Sequence, residues 1–182
     1  MISAIFGHGR PMTEDEFLAL GEISERVELF DGCLHVTSGL TPRHQYISSQ
    51  LAQALDNGAA DLHVLKAVNV RLRDGRIPIP DLVVVSMIDF KDPVIDARSV
   101  RLVGEIVSPT NAAIDEVLKK HYYATAGIPW YLLIEQDTGA LHLHELVGNH
   151  YVERSVTKVG EALRLTDPVD ATLYPADLLP PD

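Results

Sequence analysis

A chain of 182 residues, 46% of them hydrophobic, is long enough to bury a core and short enough to read as one domain over residues 1–182. A formal net charge of -11 excludes a general attraction to phosphate backbones, so any nucleic-acid contact has to come from a local basic patch. The single cysteine, Cys33, excludes an internal disulfide and reads as packing filler; no apolar run approaches the roughly 20 residues that span a bilayer, and Met1–Gly9 is too mixed for a signal peptide, so the expectation is a soluble, cytoplasmic protein with no membrane contact.

The predicted elements begin with a helix. Thr13 followed three residues later by Glu16 is a capping box, and Phe17, Leu18 and Leu20 follow it. Arg26 to Phe30 and Leu34 to Thr37 flank Asp31-Gly32, a turn pair that predicts a hairpin. A second helix opens at Thr41 with Pro42 in its first position; its apolar stripe is Ile47, Leu51, Ala54 and Leu55, and it ends near Gly58. Three extended segments follow: Val64 to Arg73, then Arg76 to Ser86 after the Asp74-Gly75 turn, then Arg101 to Val107. Ser108-Pro109-Thr110-Asn111 opens a third helix with Ile114, Val117, Leu118 and Thr125 along one side, stopped by Gly127 and Pro129. Trp130 to Glu135 reads as a strand, Leu141 to Leu146 and Tyr151 to Val156 as a closing hairpin, and the Pro-rich tail after Tyr174 as a surface-hugging end. There is no repeat and no linker. Strands gathered around two or three helices predict an α/β (α+β) class, a mixed central sheet flanked by helices.

Two of the apolar strands each hold one misplaced acid. Asp81 sits at the mouth of Leu82-Val83-Val84-Val85, and Glu105 interrupts Arg101 to Val107. A carboxylate in such a place is partly desolvated, at roughly several kcal/mol if unpaired. For either acid alone, an ion pair with Arg or Lys compensates as well as a metal does. Two acids on adjacent core strands favour a divalent cation, and Mg²⁺ prefers one or two carboxylates with water and phosphate oxygens. Asp115, Lys119 and Tyr123 recur every four residues and form one helical stripe. Asp115 and Lys119 fit an ordinary helical ion pair. Because the helix follows Glu105, Lys119 also fits a group that orients a water or stabilises phosphoryl charge. Arg71, Arg73, Arg76, Lys119 and Lys120 are the candidates for a phosphate-holding patch, with a scattered solvated surface equally compatible for the arginines. His44 reads first as a core or capping histidine. His142 and His144 share a strand face and read as polar outer surface, for want of a third ligand.

The strings Pro80-Asp81-Leu82-Val83-Val84-Val85 and Glu105-Ile106-Val107-Ser108-Pro109, then Asp115, Lys119, Tyr123 and Ala126-Gly127-Ile128-Pro129, together resemble the Uma-two family, assigned as bacterial endonucleases of the PD-(D/E)xK superfamily. Upstream, Glu28-Leu29-Phe30-Asp31-Gly32 and His44 fit the same pattern, and the likeness spans roughly residues 12 to 145. The resemblance implies a restriction-endonuclease-like sheet, hydrolysis of phosphodiester bonds in nucleic acid, DNA first, and a homodimer. It implies Mg²⁺, with Mn²⁺ as a substitute, held by Asp81, Glu105 and the backbone carbonyl of Ile106, and Glu28 as an accessory acid. His44, Asp115 and Tyr123 are its possible accessory residues. Two positions depart from the pattern. The superfamily's lysine two residues after the acid falls on Val107 here, and its work passes to Lys119; the family's acid after Gly-Ile-Pro is Trp130 here. Two other readings stay open: a nuclease fold kept as a catalytically inactive binding or assembly module, which the negative charge and displaced lysine favour, and a hydrolase of small phosphoesters. On the metal reading, Asp81→Asn is expected to lose metal affinity with folding unharmed or improved.

Overall fold

The computed structural model describes residues 2–3, 10–21, 25–37, 40–107 and 115–181. A short strand β1 (Ile2–Ser3) precedes helix α1 (Glu14–Leu18). Its capping box forms as expected: the Thr13 hydroxyl accepts from the Glu16 amide, and the Glu16 carboxylate accepts from the Thr13 amide at 3.0 Å. Thr13→Ala is expected to remove about 1 kcal/mol, read as a fall of a few degrees in the thermal midpoint. An unchanged midpoint would mean that α1 frays independently of the rest.

The hairpin of β2 (Arg26–Phe30) and β3 (Cys33–Thr37) turns through Asp31 and Gly32, with φ of 52° and 84°. Both positive values are what a two-residue turn of this hand requires. Cys33 is exposed, not packing filler, because it stands at the hairpin's end. Helix α2 (Pro42–Asp56) is capped by Thr41, whose hydroxyl accepts from the His44 amide.

The extended segment that follows is broken into pieces, contrary to the two long strands expected. It comprises β4 (His63–Lys66), β5 (Val70–Arg71), β6 (Arg76–Ile77) and β7 (Leu82–Val85). Ala67 takes a positive φ of 51° after β4, and Pro78 and Pro80 lack the amides a ladder needs between β6 and β7. Then come β8 (Ile95–Asp96) and the long β9 (Val100–Val107).

The predicted start of the third helix, Ser108 to Ile114, lies outside the described residues. From Asp115 to Lys119 the chain makes a wide π turn, and α3 (Lys120–Thr125) continues as α-helix. Val117 was expected on the apolar side but is 72% exposed. A π turn holds more residues than an α turn, so a register counted at 3.6 per turn slips there. After α3 come β10 (Trp130–Glu135), β11 (Leu141–Val147) and β12 (His150–Thr157).

The central sheet is mixed and six-stranded, in the order β12-β11-β10-β9-β7-β4. β9 and β10 are parallel and the other pairs antiparallel. Alternation divides its side chains into two cores. Leu82, Val84, Leu102, Ile106, Leu132 and Ile134 face α2 through Ile47, Leu51 and Leu55. Val83, Val103, Val107, Tyr131 and Leu133 face Tyr123 of α3. A second sheet, β1-β3-β2-β6, stands beside the first. Between β11 and β12 the register slips: Leu143 pairs with Ser155 and His144 with Glu153, leaving Arg154 as a bulge.

The tail after Tyr174 does not merely hug the surface, since Pro175 and Leu178 are buried, and the strands before it also enter the core. β13 (Leu163–Leu165), β14 (Ala171–Leu173) and the short α4 (Pro175–Leu178) bury Leu163, Leu165, Leu173 and Leu178 in the core beneath α2. Among the described residues, no helix is long and apolar enough to cross a membrane.

Candidate functional site

Register brings the two acids together. Leu82 pairs with Gly104 across β7 and β9, so one step further out Asp81 stands opposite Glu105 on the same face. Both are buried, as are Glu28, Lys119 and His44. Asp81 Oδ2 accepts from the Ile106 amide at 2.8 Å, and Oδ1 accepts from Arg26 Nη1 at 2.6 Å. His44 Nε2, from the first turn of α2, comes within 3.2 Å of Oδ1 but off the line of a hydrogen bond. His44 thus stands at the acid, although the sequence placed it first as a core or capping residue.

The second half of the cluster centres on Lys119. Its Nζ lies 2.9 Å from Glu28 Oε1 and 3.5 Å from Glu105 Oε1. Glu28, on β2, also accepts from the Ile79 amide at 2.7 Å, which ties the second sheet to the mouth of β7. The Tyr123 hydroxyl donates to Glu105 Oε1 at 2.6 Å. Lys119 and Tyr123 therefore share a stripe and a target, one turn apart. Asp115 opens the π turn, and its side chain lies outside the described part of the structure. Lys120 points elsewhere, with Nζ 5.9 Å from the centre of the Tyr131 ring.

Arg26 is the residue that the sequence reading missed. Its guanidinium donates to both Asp81 and the Ile79 carbonyl. The available signal was the pair Arg26 and Glu28, two apart on a strand whose next residues, Val27 and Leu29, are core. Two charges on one face of a buried strand need a shared partner.

Charge and burial set the protonation states. Burial opposes ionisation of Asp81, yet His44, the Arg26 guanidinium and the Ile106 amide hold its carboxyl well below the usual carboxylate range. Burial also opposes the charge on Arg26, and Asp81, Glu105 and Glu28 outweigh it, leaving the guanidinium more basic than usual. Burial and the neighbouring Glu105 push the Tyr123 hydroxyl well above its ordinary value, so it remains a donor.

The donor set fits a hard divalent ion: carboxylate oxygens, with no sulfur. Among the described residues, however, no three acid, histidine or cysteine side chains stand in the arrangement of a metal shell. The acids are instead gathered around Arg26 and Lys119.

The expected phosphate patch is not assembled. Arg73 and Arg76 pair with Asp31, and Arg71 with Glu14. Glu14 balances Arg71, while the single carboxylate of Asp31 is shared by Arg73 and Arg76. Of the two strand histidines, His142 does stand on a polar outer face, among exposed acids, and His144 does not. His144 is buried opposite Tyr131 in register, with ring centres 5.6 Å apart. His142 lies between Glu153 and Glu135, at 3.0 and 3.1 Å.

Residues 14–176 match the Uma2 family, described as "Putative restriction endonuclease". A crystal structure described as "a putative nuclease belonging to DUF820", from Anabaena variabilis, superposes with a TM-score of 0.76 at 17% identity, covering 92% of this chain and 97% of that one. At that identity the likeness speaks for the fold. No curated protein matches the sequence. The family match spans nearly the whole chain, from α1 to α4, and the shared architecture is a restriction-endonuclease-like mixed sheet flanked by few helices. This chain belongs to the Uma2 family.

Proposed function

We propose that this protein is a metal-dependent endonuclease that hydrolyses phosphodiester bonds in nucleic acid, DNA first. The observation that carries the reading is the convergence of Asp81, Glu105, Glu28 and Lys119 at one buried place. Asp81, Glu105 and the carbonyl of Ile106 would hold Mg²⁺, or Mn²⁺ in its place. Such an ion, when bound, polarises the phosphodiester and lowers the pKa of a bound water. Lys119 positions that water or stabilises charge on the phosphoryl group. Glu28 holds Lys119 in place, and Tyr123 holds Glu105. Asp115, at the start of the same helical segment, is an accessory residue in this reading.

The test is a cleavage assay on plasmid, linear and single-stranded DNA and on RNA, with Mg²⁺ and with Mn²⁺. Cleavage of DNA that stops with EDTA supports the proposal; cleavage without metal, or of RNA alone, corrects it. A second reading, a nuclease fold kept for binding or assembly, is favoured by one observation: Arg26 and Lys119 already neutralise most of the carboxylate charge. Calorimetric titration with Mn²⁺ separates the two, since a pure scaffold gives no saturable heat. We further propose a cytoplasmic homodimer, the commonest closed assembly. Light scattering at micromolar concentration should give twice the 20.0 kDa chain mass; a monomer alone refutes the pairing.

A further inference from the structure

On the metal-dependent reading the site needs a cation beside Asp81, and the structure already has one there. Arg26 Nη1 binds Asp81 Oδ1 at 2.6 Å, and Oδ2 is taken by the Ile106 amide at 2.8 Å. Both oxygens of the proposed ligand are thus engaged. The guanidinium also lies in the combined field of Asp81, Glu105 and Glu28. It is nearly buried, with 15% of its side chain exposed. One part of it is unsatisfied: Nε is buried with no hydrogen-bond partner.

The charges argue for exchange and against coexistence. Among the five side chains Asp81, Glu28, Glu105, Arg26 and Lys119, the acids outnumber the cations by one. A divalent ion added to this set would leave the buried cluster with one positive charge in excess, and would set two cations against each other across a single carboxylate. Departure of Arg26 restores neutrality. The guanidinium is held by its two Nη atoms only, and the orphaned Nε makes its resting place an incompletely satisfied one. Arg26 is the first residue of β2, and the pairing of β2 with β6 reaches only Leu29 and Phe30, so β6 does not cover the Arg26 end of the strand.

We infer that Arg26 is a resident counter-cation that competes with the divalent ion for Asp81, so that metal uptake requires release of the guanidinium. The inference rests on the metal-dependent reading above. It also accounts for the absence of a metal shell among the described residues: the carboxylates are arranged around the arginine and the lysine. The released guanidinium becomes a donor set free to meet a phosphate, which would couple metal loading to substrate contact.

The experiment is a titration of the full chain with Mn²⁺ alone, following free Mn²⁺ by electron paramagnetic resonance. The parent, Arg26→Met and Arg26→Lys are compared. Arg26→Met should bind Mn²⁺ roughly tenfold tighter or more, and Arg26→Lys should return toward the parent. In parallel, the parent labelled with ¹⁵N at arginine Nε is titrated with Mg²⁺. The Arg26 signal, identified by its loss in Arg26→Lys, should shift as the site fills. That arm decides the matter if Arg26→Met fails to fold. Binding by Arg26→Met alone also supports the inference, as full blockade by the arginine. Equal or weaker binding by Arg26→Met, or an unmoved Nε signal at saturation, overturns it and leaves the metal-dependent reading standing. If neither parent nor variants bind, the metal-dependent reading fails and this inference with it.

Discussion

Asp81→Asn is expected to destabilise the metal-free protein by about 3–5 kcal/mol, toward the lower end because asparagine still offers an acceptor. The sequence alone suggested the opposite, an unharmed or improved fold, because a buried acid without metal looked like strain. The structure supplies the missing partner. Arg26 is buried against Asp81 and loses its nearest countercharge in the variant, and an unpaired buried guanidinium is the costly species. Urea unfolding in EDTA measures the loss. The sign of the pH dependence follows from the depressed carboxyl. Asp81 contributes its full stabilisation above its unfolded-state pKa of about 3.9 and loses it as pH falls below that value toward the lower folded one. The parent and the variant should therefore differ most near neutrality and converge in acid. A parent and variant of equal stability at pH 7 would sink the ion-pair account. Loss of stability does not by itself distinguish a metal ligand from an ion-pair partner, so the Mn²⁺ affinity of the variant must be read beside it.

Lys119→Ala is expected to lower the rate of hydrolysis by about 10²-fold or more, measured on whichever nucleic acid the parent cleaves. Its Nζ faces Glu28 and Glu105 and is not a metal donor, so Mn²⁺ binding should persist. Removing a buried cation between two acids also weakens the fold, so the comparison belongs at a temperature where circular dichroism shows both proteins folded. Under that control, an unchanged rate would remove Lys119 from the chemistry and leave it a structural counter-ion. Parallel loss of Mn²⁺ binding and rate would instead mean that the lysine holds the acids in place.

The parts of this arrangement differ in how visible they are in sequence. Asp81 and Glu105 were legible because each interrupts an apolar strand, and the hairpin was legible because Asp31-Gly32 permits few other turns. Arg26 was not. Its partners Asp81 and Ile79 lie 55 and 53 residues away, in the connection between β6 and β7, and no local pattern records a contact of that range. Lys119 was found by helical spacing and family likeness, but the π turn that precedes α3 was not, because counting at 3.6 residues per turn assumes it away. The strands β13 and β14 were missed because three residues give no measurable alternation.

The bulge at Arg154 has a consequence for the molecule in a crowded solution. β12 is an outer strand of the central sheet and eight residues long, the kind of surface on which a foreign strand can be templated into a growing fibre. The extra residue breaks the regular spacing of amides and carbonyls along that rim. Glu153 and Arg154 place opposite charges at the break, with Arg154 Nε held by Glu145 at 2.6 Å. An incoming strand would have to step over the bulge and strip water from both charges. The bulge and its two charges thus oppose continuous sheet growth along that rim.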